Sequence, residues 1–102
     1  MAYTVVDQYA IKYDANIHTP HIWLHGGGKW FAQLFFMPDG STLPADTSDA
    51  TWIKLYFHLE DYQHLIDLLR YESPVGLSYA GSGSGYTNTV QADPATVGAW
   101  KK

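Results

Sequence analysis

The chain has 102 residues, 46% of them hydrophobic and 16% charged, with a formal net charge of −4 and no cysteine. That length suits one domain with its own core, and so aromatic-rich and charge-poor a composition excludes intrinsic disorder. Six Lys and Arg supply no basic footprint for nucleic acid or an anionic membrane surface, and without cysteine there is no disulfide, thiolate metal site or Cys nucleophile.

Residues 3–13 read as a strand, with Tyr3, Val5, Asp7, Tyr9, Ile11 and Tyr13 on one face. Met1 to Gln8 holds no basic stretch followed by an apolar run, so no signal peptide is visible and a cytoplasmic location is expected. Asp14, Ala15 and Asn16 read as a turn. A short strand at 21–25 puts His21, Trp23 and His25 on one face and Ile22 and Leu24 on the other. Gly26, Gly27 and Gly28 fit a hairpin turn, because glycine enters positive φ without steric cost. The return strand at 29–36 is apolar on both faces, with Trp30, Leu34 and Phe36 on one and Phe31 and Phe35 on the other. A strand of that kind is central or covered on both sides.

Residues 37–50 form a polar loop carrying a Pro38-Asp39-Gly40 turn. Residues 51–59 alternate cleanly: Ile53, Leu55, Phe57 and Leu59 face a core, and Trp52, Lys54, Tyr56 and His58 face outward. An amphipathic helix follows near 60–71, its apolar face made by Leu59, Tyr62, Leu65, Ile66 and Leu69. Asp61 is its expected N-cap and Pro74 its stop. Residues 75–80 and 86–92 read as a last hairpin around the Gly-Ser turn at 81–85. The expected architecture is therefore one α+β domain over 1–102. It comprises an antiparallel β-sheet or small β-sandwich of about 5–6 strands with one helix, the helix lying on the Ile53-Leu55-Phe57 side.

Sixteen Trp, Tyr and Phe exceed what one small core can hide. The outward set is Trp23, Trp52 and Tyr56, with His58 beside them and Trp30, Tyr79 and Tyr86 as further candidates. Flat rings on a rigid sheet either stack on sugars and other planar ligands or bury against a second copy. His18, His21 and His25 form a second constellation with metal-ligand chemistry. On a straight strand, however, His21 and His25 lie about 13 Å apart at ~3.3 Å per residue. Gly26-Gly27-Gly28-Lys29 is not a phosphate loop, since Trp30 and Phe31 follow where Ser or Thr and a helix are required. Asp39, Asp46 and Asp49 share a loop whose spacing fits no EF-hand.

The run from Ile66 to Leu77, with its Leu-Leu-Arg-x-Glu-x-Pro-Val segment at 68–75, precedes an Asp93-Pro94 to Gly98 motif. This C-terminal third resembles small bacterial proteins of similar length that pair the same two segments. The resemblance implies a fold type and a bacterial origin, and it implies no activity. The chain departs from the pattern in a longer polar hairpin at 81–89 and an extra residue before Gly98. The functional expectation is a non-catalytic binding or assembly module working through Trp23, Trp52, Tyr56 and His58, with no cofactor and with a homodimer or a small-molecule or glycan ligand as partner. A carbohydrate-recognition domain is one alternative, and a metal-binding protein or small enzyme using His18, His21 and His25 is the other.

Overall fold

The structure is a computed structural model and describes residues 2–13, 19–49, 51–72, 74–82 and 87–92. The expected turn at 14–16, His18, Tyr86 and the 93–98 motif lie outside these residues. The described strands are β1 (Ala2–Val6), β2 (Gln8–Lys12), β3 (His21–Gly26), β4 (Lys29–Met37), β5 (Thr47–Ser48), β6 (Ile53–His58), β7 (Val75–Tyr79) and β8 (Thr89–Ala92). A 3₁₀ turn at Leu59–Asp61 leads into the helix α1 (Tyr62–Tyr71). The strands form two sheets, ordered β1-β7-β8 and β2-β3-β4-β6-β5. The α+β class and the helix are as expected, while the strands are more numerous and the larger sheet is mixed.

Two of the differences begin in the first strand. It is not one strand but two, broken at Asp7, and its halves join different sheets: β1 pairs with β7, and β2 with β3. A strand that changes sheets makes the corner of a sandwich. The break also shifts the inward residues from Val6 to Tyr9, so the single alternating face read from 3 to 13 does not exist. Close passage of the two sheets needs Gly26, because a Cβ there would overlap the Val5 carbonyl.

The β3–β4 hairpin turns through Gly27 and Gly28, at φ 64 and 86. Two consecutive positive φ values make the tight turn that matches strand twist, which is why glycines stand there. A bulge between Leu24 and His25 sets His25 opposite Trp30 and Leu24 opposite Ala32, leaving Phe31 as the extra residue. Phe31 and Ala32 are consequently both buried. Beyond the bulge, Leu34 and Phe36 face the core, whereas Trp30, Gln33 and Phe35 lie on the outer side with Trp23 and His21. The expectation that Trp30 shares a face with Leu34 and Phe36 is corrected by this one inserted residue.

β4 and β6 run parallel, from Ala32 opposite Ile53 to Met37 opposite His58. Parallel neighbours need a long crossover, and residues 38–52 provide it without a helix. Three carboxylates pin it. Asp39 accepts the Glu60 amide at 2.7 Å, Asp46 the Tyr56 amide at 2.9 Å, and Asp49 the Thr51 and Trp52 amides at 2.8 Å each. Asp61, by contrast, makes no side-chain capping bond. The amide at the start of the 3₁₀ turn is satisfied by Asp39 instead, from far away in sequence.

The core lies between the sheets and under α1. Ile22, Leu24, Leu34, Phe36, Leu55 and Leu77 are completely covered, and Leu65, Ile66 and Leu69 supply the helix face. Each fully buried side chain of this size contributes about 1.5–3 kcal/mol. Ile53 and Phe57 pack against the same cluster, so the helix covers the side of β6 expected for it. Leu59 stays exposed at the 3₁₀ turn, outside the apolar stripe assigned to it.

Candidate functional site

The side of the larger sheet away from the core carries the chemistry. Register alone lays out its rows. Lys12, His21, Phe35 and Tyr56 stand side by side across four strands, as do Ala10, Trp23, Gln33 and Lys54 in the next row, and Gln8, His25 and Trp30 in a third. Opposite residues share a face, so Trp23, Tyr56 and His58 are all placed on this side, as the sequence implied.

The first row is a stack. His21 lies flat on Phe35, ring centroids 5.9 Å apart and planes 4° from parallel, and Phe35 lies on Tyr56 at 5.1 Å and 15°. His21 is only 8% exposed. Its Nδ1 accepts from Trp23 Nε1 at 3.1 Å and from the Gln33 side-chain amide at 2.7 Å. Trp23 meets Trp52 edge to face at 5.1 Å. Trp52, Trp23, His21, Phe35 and Tyr56 therefore form one continuous aromatic layer, each ring in contact with the next. His58 is set apart from that layer. Its Nε2 donates to the Ser41 carbonyl at 2.7 Å, which ties the ring to the crossover.

Between Trp23 and Trp30 the layer opens into a groove of about 180 Å³, lined by Ala10, Lys12, Trp23 and Trp30. Its cause is a side chain that stops short. Ala10 stands directly opposite Trp23, and the small methyl leaves room between two indoles. Lys12 holds its Nζ 4.6 Å from the centre of the Trp23 ring, within cation–π range. Trp30 is the most exposed of the described tryptophans, at 40%. Beyond it stands His25, in edge-to-face contact with Trp30 at 5.1 Å and with its Nδ1 2.6 Å from Asp7 Oδ1. A carboxylate only accepts, so Nδ1 carries the proton in that bond. Nε2 of His25 has no hydrogen-bond partner among the described residues and reaches solvent.

Besides touching Trp23, Trp52 lines a second groove of about 230 Å³, bounded also by Thr4, Lys29, Phe31 and Asp49. The Thr51 amide, then the Trp52 amide, hold the Asp49 carboxyl below its ordinary value of 3.8. That carboxylate is committed to the turn entering β6.

His21 and His25 are not brought together by shared partners: one belongs to the Phe35 stack, the other to Asp7 and Trp30. Among the described residues no three His, Asp or Glu groups are placed to hold a metal ion, and His18 lies outside those residues. Among the described residues no helix is long and apolar enough to cross a membrane. Sequence reasoning missed Ala10 and Lys12 as parts of the site and named Trp30 only as a further candidate. The signal for Ala10 was a lone small residue within a bulky strand, and it acquires meaning only through its pairing with Trp23. Compared with family models, curated proteins and solved structures, the chain matches none.

Proposed function

We propose that the protein is a non-catalytic binding module whose outer sheet face holds a saccharide ring in the groove over Ala10. The observation that carries this reading is the pair of indoles, Trp23 and Trp30, spaced by a methyl group on rigid neighbouring strands. A pyranose presents C–H faces that pack on indole rings and a rim of hydroxyls that seeks polar groups. The groove meets both needs, with indole walls and with Lys12 in its lining, and His25 stands next to it in contact with Trp30. At about 180 Å³ it is smaller than the ~300–1,000 Å³ of pockets for drug-sized ligands, which favours a single ring of a longer chain. Calorimetric titration with a panel of oligosaccharides tests the reading. Wild type should bind at least one member, and Ala10→Leu, which fills the groove, should bind none while melting at the wild-type temperature. A panel that never binds, or an Ala10→Leu variant that binds as wild type does, would sink it.

A second reading, assembly as a homodimer, is favoured by one specific feature. Among the described residues, β1 and β2 are edge strands of their two sheets. Tyr3, Val5 and Ile11 on these strands are exposed, with Tyr13 just past the end of β2. Natural edges are usually blunted by charge, proline or cover. The occupant such an edge fits is the same strand of a second copy, antiparallel about a twofold axis. Light scattering on the intact chain decides it: a dimer that Val5→Lys with Ile11→Lys turns into a folded monomer supports the reading, and a wild-type monomer at high concentration rejects it.

A further inference from the structure

We infer that the ring taken by the Trp23–Trp30 groove bears a carboxylate, as in a uronate saccharide, with the carboxylate on Lys12 and a ring hydroxyl on His25. This deepens the saccharide reading and rests on it. Lys12 carries a full positive charge at the groove rim, and its one described interaction is with the face of Trp23. No carboxylate is paired with it among the described residues. In a chain of net charge −4 with six Lys and Arg, a cation left over a binding groove is a specific feature rather than a general field. A carboxylate arriving from a ligand would meet Lys12 where the Trp23 ring already limits its freedom, which lowers the ordering cost of a charge-assisted bond.

His25 does not line the groove but stands beside it, in contact with Trp30, which does. Asp7 Oδ1 holds His25 Nδ1 at 2.6 Å and fixes which nitrogen carries the proton when the ring is neutral. Nε2 is then a solvent-reaching acceptor with no described partner, next to Trp30. An acceptor there suits a hydroxyl, and a fixed cation at Lys12 suits an anion. A ring with both groups satisfies Lys12 in the groove and His25 beside it at once, while a neutral sugar leaves Lys12 without a counter-charge and a bare carboxylate leaves the indoles unstacked.

The test pairs tetragalacturonate with its carboxyl-reduced, neutral counterpart in calorimetric titrations of wild type and Lys12→Gln. Wild type should bind the acid form at least tenfold more tightly, and Lys12→Gln should weaken the acid form at least tenfold more than the neutral form, which removes that preference. His25→Phe should weaken both forms by a similar factor. Equal affinity of wild type for the two forms, or a preference for the neutral one, overturns the inference and leaves the saccharide reading standing. A preference retained in Lys12→Gln overturns the assignment of the carboxylate to Lys12. Failure of both forms to bind removes the saccharide reading and this inference together for this sugar backbone.

Discussion

The indole N–H of Trp23 points at Nδ1 of His21, 3.1 Å away. Tryptophan Nε1 can only donate, so Nδ1 of His21 must present a lone pair and the ring proton sits on Nε2. The Gln33 side-chain amide donates to the same nitrogen at 2.7 Å. One aromatic side chain thus sets the tautomer of another, two residues along the strand. Nitrogen-detected NMR should find Nδ1 of His21 unprotonated at neutral pH, with Trp23→Phe loosening that preference. A protonated Nδ1 in the wild type would contradict both of these hydrogen bonds.

Trp30 offers a cleaner probe of the groove than Trp23, because it holds less of the structure together. Its main described contact is the edge-to-face meeting with His25, and it is 40% exposed. Trp30→Ala should cost little in melting temperature, the lost ring contact being worth about 0.5–1.5 kcal/mol. Its effect on ligand affinity should be larger, about 2 kcal/mol or roughly 30-fold, the usual scale for an aromatic anchor. Calorimetry and thermal melts on the same variant separate the two effects.

Gly26 is predicted to be the least replaceable glycine of the β3 hairpin. Gly27 and Gly28 need their positive φ but have open space around a Cβ, whereas Gly26 has the Val5 carbonyl against it. Gly26→Ala forces the two sheets apart at the corner, a clash on the scale of overpacking, about 1–3 kcal/mol. The urea midpoint should fall accordingly. An unchanged midpoint would mean that the corner is looser than its geometry indicates.

The Tyr62 phenol is pushed up to about 12 from an ordinary 10.0, by burial first and by the Tyr13 hydroxyl second. The two hydroxyl oxygens are 2.6 Å apart. A folded-state value above the unfolded one contributes stability that is fully present below pH 10 and is lost as pH rises toward 12. Phenolate absorbance should therefore titrate late for one tyrosine. Tyr13→Phe should bring that transition part of the way back, since burial of Tyr62 persists without the hydroxyl.

Local features of the chain were legible wherever one period ran undisturbed. The outward placement of Trp23 and Tyr56, the Gly27–Gly28 turn and the apolar stripe of Leu65, Ile66 and Leu69 all follow from alternation or helical spacing. What could not be read depends on partners distant in sequence. The break at Asp7 is fixed by β3 and β7 pulling the two halves of one strand into different sheets. The bulge at Phe31, which moves Trp30 to the outer face, leaves no mark in a strand that is apolar on both sides. The parallel pairing of β6 with β4 rests on Asp39, Asp46 and Asp49 holding the crossover, and those residues read in isolation as an ordinary polar loop. The groove was invisible for a related reason: it is made by the absence of a side chain at Ala10, and an absence is located only when its neighbours are known.

The most direct test of the binding face is NMR of the tryptophan indole N–H groups during titration with tetragalacturonate and its neutral counterpart. The account predicts that the Trp30 and Trp23 signals shift together as the ligand saturates, and that Trp52, which lines the second groove, shifts less. Binding that leaves Trp23 and Trp30 unmoved while Trp52 or the helix responds would contradict it.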